Sequence, residues 1–191
     1  MNNESATKQK PTLTTLEDGT KESRLHGLLH SEDGPAVEHP DGTKEWWLNG
    51  RLHREDGPAI EWSDGTKEWC LNGDLHREDG PAVEDVNGSR WWYVDGKRHR
   101  EDGPAIEEID GSKWWFRNNK LHREDGPAIE EIGRPKKWYL NNCEILPCPR
   151  NIKDKAVGDL VEVEGQLGFV FKKDLFIHIQ VGEKEVVFVN D

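Results

Sequence analysis

His30, His53, His76, His99 and His122 recur at intervals of 23 residues, and each opens nearly the same phrase: HSEDGPAVE once, then HREDGPAIE or HREDGPAVE. An imidazole, a guanidinium and two carboxylates in four consecutive positions could hold a metal ion or move a proton. The spacing argues against both. Zinc needs three or four ligands converging at about 2.0–2.2 Å. If each unit gives two strands to a sheet, equivalent atoms of successive units stand about 9.5 Å apart, so the five histidines cannot share one ion. His53, Glu55 and Asp56 make at most a weak site within one unit. Five copies of one catalytic centre along a ribbon would be an odd enzyme. The expected roles are therefore structural: His53 bonding a backbone carbonyl of the adjoining loop, Asp56 capping its own turn, and Arg54 pairing with a carboxylate of a neighbouring unit. No nucleophile elbow, phosphate-cradling glycine loop or dinucleotide fingerprint is present, and we expect no catalytic residue, metal or cofactor.

Two rows of side chains are candidates for binding a partner. Arg54, Arg77, Arg100 and Arg123 form a ladder of charges at fixed pitch. Either it matches a row on a partner, or each Arg is neutralised by its own Glu and Asp. Trp47, Tyr93, Phe116 and Tyr139 form an aromatic row. Contiguous exposed rings mark interfaces; the alternative is cover by the tail, the N-terminal segment or a second copy of the chain.

A fixed period of this length signals stacked supersecondary units. Asp41-Gly42, Asp64-Gly65, Asn87-Gly88 and Asp110-Gly111 read as two-residue hairpin turns. In the second unit they join an incoming strand near Pro58–Ser63 to an outgoing strand near Thr66–Leu71. The segment from Asn49 to Gly57 reads as the connecting loop. It holds an Asn-Gly turn and a Glu-Asp-Gly-Pro turn, in which Gly57 is expected at positive φ. The pairing places Ile60 opposite Trp69 and Ala59 opposite Cys70. One face then carries Trp46, Trp69, Trp92, Trp115 and Trp138 and is assigned as the core. The other carries the alanines Ala36, Ala59, Ala82, Ala105 and Ala128 beside the second aromatic row. This register sets Glu61 against Glu68, which requires an open face or a bulge.

The predicted organisation is a disordered stretch over 1–12, a repeat array over 13–145, a linker over 146–152 and a small β-barrel-like domain over 153–191. The last should hold strands at 159–164, 167–172, 174–181 and 184–189; its lone His178 reads as a surface residue. The fold class is all-β: an elongated, twisted antiparallel sheet of stacked hairpins plus a small SH3-like C-terminal domain. The net charge of −12 disfavours direct binding to nucleic acid or an anionic membrane. It suits a basic protein partner or imitation of a nucleic acid. Three cysteines without zinc spacing, and no secretory leader, are consistent with free thiols in the cytoplasm.

Asp-Gly, an aromatic strand, Asn-Gly and a following His, as in Asp64-Gly65 and Asn49-Gly50-Arg51-Leu52-His53, resemble the MORN repeat. The closer likeness is to the divergent MORN-like class of bacterial and bacteriophage proteins, over about residues 16–142. The HREDGP loop is longer and more charged than that family's HGxG, and KEWW or SKWW stands in place of YxGxW. The resemblance implies an elongated scaffold with a binding role. Its phage members suggest an inhibitor or adaptor acting on a host protein in the host cytoplasm. A nucleic-acid mimic that blocks a host nuclease, and a self-associating virion or scaffold component, are the alternatives.

Overall fold

Turn chemistry sets the register of the array. At the second Asp-Gly turn the loop is Ser63-Asp64-Gly65, three residues and not two. Trp62 N–H donates to the Thr66 carbonyl at 2.9 Å, and Gly65 N–H donates to the Trp62 carbonyl at 3.0 Å. Gly65 sits at φ +99, and Asp64 Oδ1 accepts from Thr66 N–H at 2.8 Å. This is a tight turn closed by a left-handed glycine bulge. The extra residue shifts the strands by one position relative to expectation: Ile60 faces Glu68, and Glu61 faces Lys67. The bulge replaces the Glu61–Glu68 repulsion with an opposite-charge pair.

The Asn-Gly turns are the two-residue hairpins. Asn72 and Gly73 have φ of 55 and 97, and Leu71 pairs with Asp74 directly across them. Two consecutive left-handed residues are what a type I′ turn demands, and Asn followed by Gly meets that demand at least cost. The stretch read as one connecting loop thus contains a second hairpin.

The computed structural model describes residues 9–147 and the strands Leu160–Val163, Gln166–Lys173, Phe176–Val181 and Lys184–Val189. Among them there is no helix. A 12-stranded antiparallel sheet runs in chain order from Thr12–Thr15 through two strands per unit to Ile129–Glu130, with Leu28–Leu29 paired beside Lys21–Leu25. The sheet is elongated and open. Beside it stands a row of two-stranded ribbons: Trp47–Leu48 with Arg51–Leu52, Cys70–Leu71 with Asp74–Leu75, Tyr93–Val94 with Lys97–Arg98, and Phe116–Arg117 with Lys120–Leu121. Trp46, Trp69, Trp92 and Trp115 are the pivots between sheet and ribbon. Trp69 N–H donates to the Ala82 carbonyl at 2.8 Å, and its own carbonyl accepts from His76 N–H at 2.9 Å.

Burial corrects the expected division into a tryptophan core and an alanine outer face. Ala36, Ala59, Ala82, Ala105 and Ala128 are only 0–1% exposed, with Val37, Ile60 and Val83 close behind. Trp46, Trp69, Trp92, Trp115 and Trp138 are half-buried. The alanines lie where sheet and ribbons meet, the Ala59 and Ala82 carbonyls accepting from the pivot N–H groups of Trp46 and Trp69 at 2.8 Å. The indoles lie at the seam, each with one face left for another group.

After the array, Trp138–Leu140 pairs with Cys143–Pro147 around Asn141-Asn142, and Ile145 is buried against Trp138 and Leu140. Cys143–Pro147 also pairs in parallel with Lys184–Val189. The four C-terminal strands fall where the alternating pattern placed them and form an antiparallel meander. The described pairings run in an open order, and a barrel closure is not among them. Of the expected disordered stretch, Thr12 already belongs to a strand, and residues 1–8 lie outside the described residues. Leu146 and Pro147 of the expected linker belong to a strand; the rest of it lies outside, as does the side chain of His178.

Candidate binding edge

Each histidine stitches its unit to the next. Asn72 N–H donates to His53 Nδ1 at 3.1 Å, 19 residues on. The same bond joins Asn49 to His30, Asp95 to His76, Asn118 to His99 and Asn141 to His122, at 3.2–3.3 Å. The ring therefore accepts a backbone N–H at the head of the next ribbon turn and does not bond a carbonyl as expected. At His53 and His99, where Nδ1 meets only this donor, an accepting Nδ1 leaves the ring proton on Nε2; at His30 the Asn49 side-chain oxygen also lies 3.0 Å from Nδ1. In the third unit Asp95 replaces Asn, and its carboxylate also lies 2.9 Å from His76 Nδ1.

A second stitch was not anticipated. Buried hydroxyls of Thr43, Ser89 and Ser112 accept N–H donors from Ser63, Ile109 and Ile132, 20 residues on. Thr66 does the same for Val86. The sequence signal was there: a Thr or Ser follows the glycine of each bulged turn, at Thr20, Thr43, Thr66, Ser89 and Ser112. A hydroxyl is the smallest side chain that satisfies a backbone donor in a tight seam.

The arginine ladder is engaged within the chain. The guanidiniums of Arg54, Arg77, Arg100 and Arg123 lie 4.0–4.1 Å from the ring centroids of Trp46, Trp69, Trp92 and Trp115. This is cation–π geometry, and it explains the half-buried indoles. Arg54 Nε donates to Asp56 at 2.9 Å, and Nη1 donates to the Pro58 carbonyl and to Glu61, each at 3.2 Å. All the carboxylates it meets belong to its own unit, not to a neighbour. Asp56 thus holds Arg54 and does not cap its own turn; the hydrogen bond and charge of Arg54 keep its carboxyl below the usual carboxylate range.

Gly57 is not at positive φ. It is glycine for lack of room. A Cβ there would stand 2.9 Å from Arg54 Cζ, and Gly80, Gly103 and Gly126 meet Arg77, Arg100 and Arg123 at 2.8–2.9 Å. In the first unit Ser31 replaces Arg, and Gly34 has nothing within 4 Å. The phrase R-x-D-G-P is one device: a guanidinium laid on an indole and a glycine, held by an Asp and a carbonyl.

The aromatic row is partly covered. Phe116 is buried, beneath the Arg98 guanidinium at 4.2 Å. Cys70, which fills the row in its unit, is also buried, and burial pushes its thiol up to about 12. Trp47, Tyr93 and Tyr139 are half-buried; Trp47 Nε1 donates to Glu45 at 2.6 Å.

What faces outward is the acidic part of the loop. Glu55 and Asp56 keep 82% and 85% of their side-chain surface exposed. Between consecutive loops lie four equivalent open clefts, bounded by loops 31–34 and 53–56, 54–58 and 76–79, 77–81 and 99–102, and 100–104 and 122–125. They are lined between the loops by Trp46 with Leu48, Trp69 with Leu71, and Trp92 with Val94; in the fourth, Trp115 stands beside Arg117, which pairs with Glu124 at 3.7 Å. No group of three metal-ligating side chains occurs among the described residues, and no described helix could cross a membrane. Comparison with protein-family models and with curated proteins returned no match for this chain.

Proposed function

We propose that this chain is a non-enzymatic repeat scaffold that binds a protein partner along its loop edge, in the manner of the MORN-like proteins it resembles. The observation that carries this reading is the row of four equivalent clefts on one edge of an open sheet. The histidine Nδ1 atoms are occupied in joining units, and the arginines of the repeated phrase are occupied within their own units. The exposed carboxylates and the cleft linings are what remains for a partner. An inhibitor or adaptor of a host protein, working in the host cytoplasm, fits this reading. The test is affinity capture from host lysate by the wild-type chain and by a chain with Glu55, Glu78 and Glu101 changed to Gln. Specific capture lost in the variant supports the reading, and capture indistinguishable from an empty column refutes it.

The exposed carboxylate row also favours a second reading, imitation of a nucleic acid. One Glu and one Asp per repeat of about 9.6 Å give a line density below the one charge per 3.4 Å of a single DNA strand. Arg54 and its equivalents lower it further. A protein partner therefore ranks first. Binding that collapses between low and moderate salt would reverse the order.

A further inference from the structure

The cleft row repeats with the pitch of the sheet. Two strands per unit, spaced about 4.8 Å, set about 9.6 Å between equivalent clefts. A polyproline II segment turns once in three residues and rises about 3.1 Å per residue, so positions i and i+3 project from the same side about 9.3 Å apart. The mismatch of about 0.3 Å per cleft is small against the reach of a Lys or Arg side chain. A β-strand fits worse, because its same-side positions recur every two residues, about 6.6–6.8 Å apart.

Charge and shape point to the same occupant. Glu55 and Glu101 have only a histidine Nε2 near them, at 3.7 and 3.8 Å, and among the described residues no Lys or Arg pairs with them or with Glu78. Each cleft therefore offers an uncommitted carboxylate at its rim. The first three clefts are lined by a tryptophan with an aliphatic neighbour, beside the guanidinium that rests on that tryptophan. Aromatic-lined grooves are the surfaces on which polyproline II segments dock, since the preformed helix loses little entropy.

We infer that the loop edge is a docking track for a polyproline II segment of a partner protein carrying Arg or Lys at every third position, one cation to each cleft. This rests on the binding role proposed above and names the chemistry of its partner. The cation meets the Glu at the rim of the cleft, and the intervening residues lie against the Trp that lines it. Four consecutive clefts in register add their contributions through one chain, so spacing, and not net charge, sets affinity.

The test is fluorescence anisotropy with the full chain and two labelled peptides of equal composition. One has four Arg-Pro-Pro triplets. The other has four Arg in a block followed by the prolines. The triplet peptide is expected to bind at least about tenfold more tightly. Changing Glu55, Glu78 and Glu101 together to Gln is expected to weaken triplet binding by at least about tenfold, with the circular dichroism spectrum and melting temperature unchanged. Equal affinity for the two peptides, no binding of the triplet peptide, or triplet binding indifferent to the three substitutions overturns the track. None of these outcomes touches the broader binding role, which stands or falls with specific capture by the wild-type chain.

Discussion

Changing Gly80 to Ala should destabilise the array, against the usual rule for its backbone. Gly80 is not at positive φ. At such a position Gly→Ala commonly stabilises by about 0.4–1 kcal/mol, because it restricts the unfolded chain. Here the new Cβ would stand 2.9 Å from Arg77 Cζ and 3.1 Å from Nε. The guanidinium must shift off the glycine. At most it gives up the Trp69 ring at 4.0 Å, the Asp79 bond at 2.9 Å, and the bonds to the Pro81 carbonyl and Glu84. A cation–π contact at an exposed site contributes about 0.5–1 kcal/mol. The ion pairs, partly open to water, contribute little beyond that, and the carbonyl bond about 0.5–1.5 kcal/mol. The sum, less the entropic gain, is a net loss of about 0–2 kcal/mol, centred near 1, or a few degrees of melting temperature at this chain length. Urea titration followed by tryptophan fluorescence reads it. Two controls isolate the cause. Gly34→Ala, in the unit with Ser31 and an open space, should be neutral or stabilising. Gly80→Ala placed on Arg77→Ala should lose its cost, because the group it displaces is gone. Equal stabilisation by Gly80→Ala and Gly34→Ala would refute the guanidinium packing as the reason for the glycine.

Other outcomes follow from the same geometry. His99→Ala should leave Asn118 N–H without its acceptor, at a cost of about 0.5–1.5 kcal/mol, and hydrogen exchange at that amide should quicken while the sheet amides stay protected. Gly73→Ala, at φ +97, should cost about 1 kcal/mol or more by forcing a side chain into the left-handed region, and urea titration measures it. The lowered carboxyls of Asp56, Asp79 and Asp125 give a signed pH dependence. Their contribution to stability is fully present above the ordinary carboxylate range and is lost as pH falls through their depressed folded values. Melting temperature should therefore fall on acidification, and Asp79→Asn should flatten part of that slope. Cys143 is exposed and Cys70 buried, so alkylation at mild pH followed by peptide mass spectrometry should label the first and spare the second until the chain is unfolded.

Much of the architecture was legible because the chain repeats itself. The period, the Asp-Gly and Asn-Gly punctuation and the alternation after Lys153 were enough for an open β-array and four further strands. What misled was the assignment of turn types. Asp64-Gly65 read as a two-residue hairpin and Asn72-Gly73 as a turn within a loop, yet Ser63-Asp64-Gly65 closes with a bulge while Asn72-Gly73 is the two-residue hairpin. One position of slip exchanged the partners of Ile60 and Glu61 and confused the two faces. The arginines were identified as a row, but their seat on Trp46, Trp69, Trp92 and Trp115 was not, because that contact spans eight residues and two elements. Gly57 looked like a turn glycine and is a packing glycine. No clue lay in the chain itself, because Gly34 is kept where Ser31 replaces Arg and the space above it is vacant.

The stitches at offsets of 19 and 20 residues join each unit only to its immediate follower. Excising Asp64 to Val86 would bring Ser63 up to Asn87 with every donor finding an equivalent acceptor. Removing one residue more or fewer would misalign both rows at once. Length is thus a quantised, freely adjustable property of this molecule, and a lineage can lengthen or shorten its reach in whole modules without redesigning a single joint.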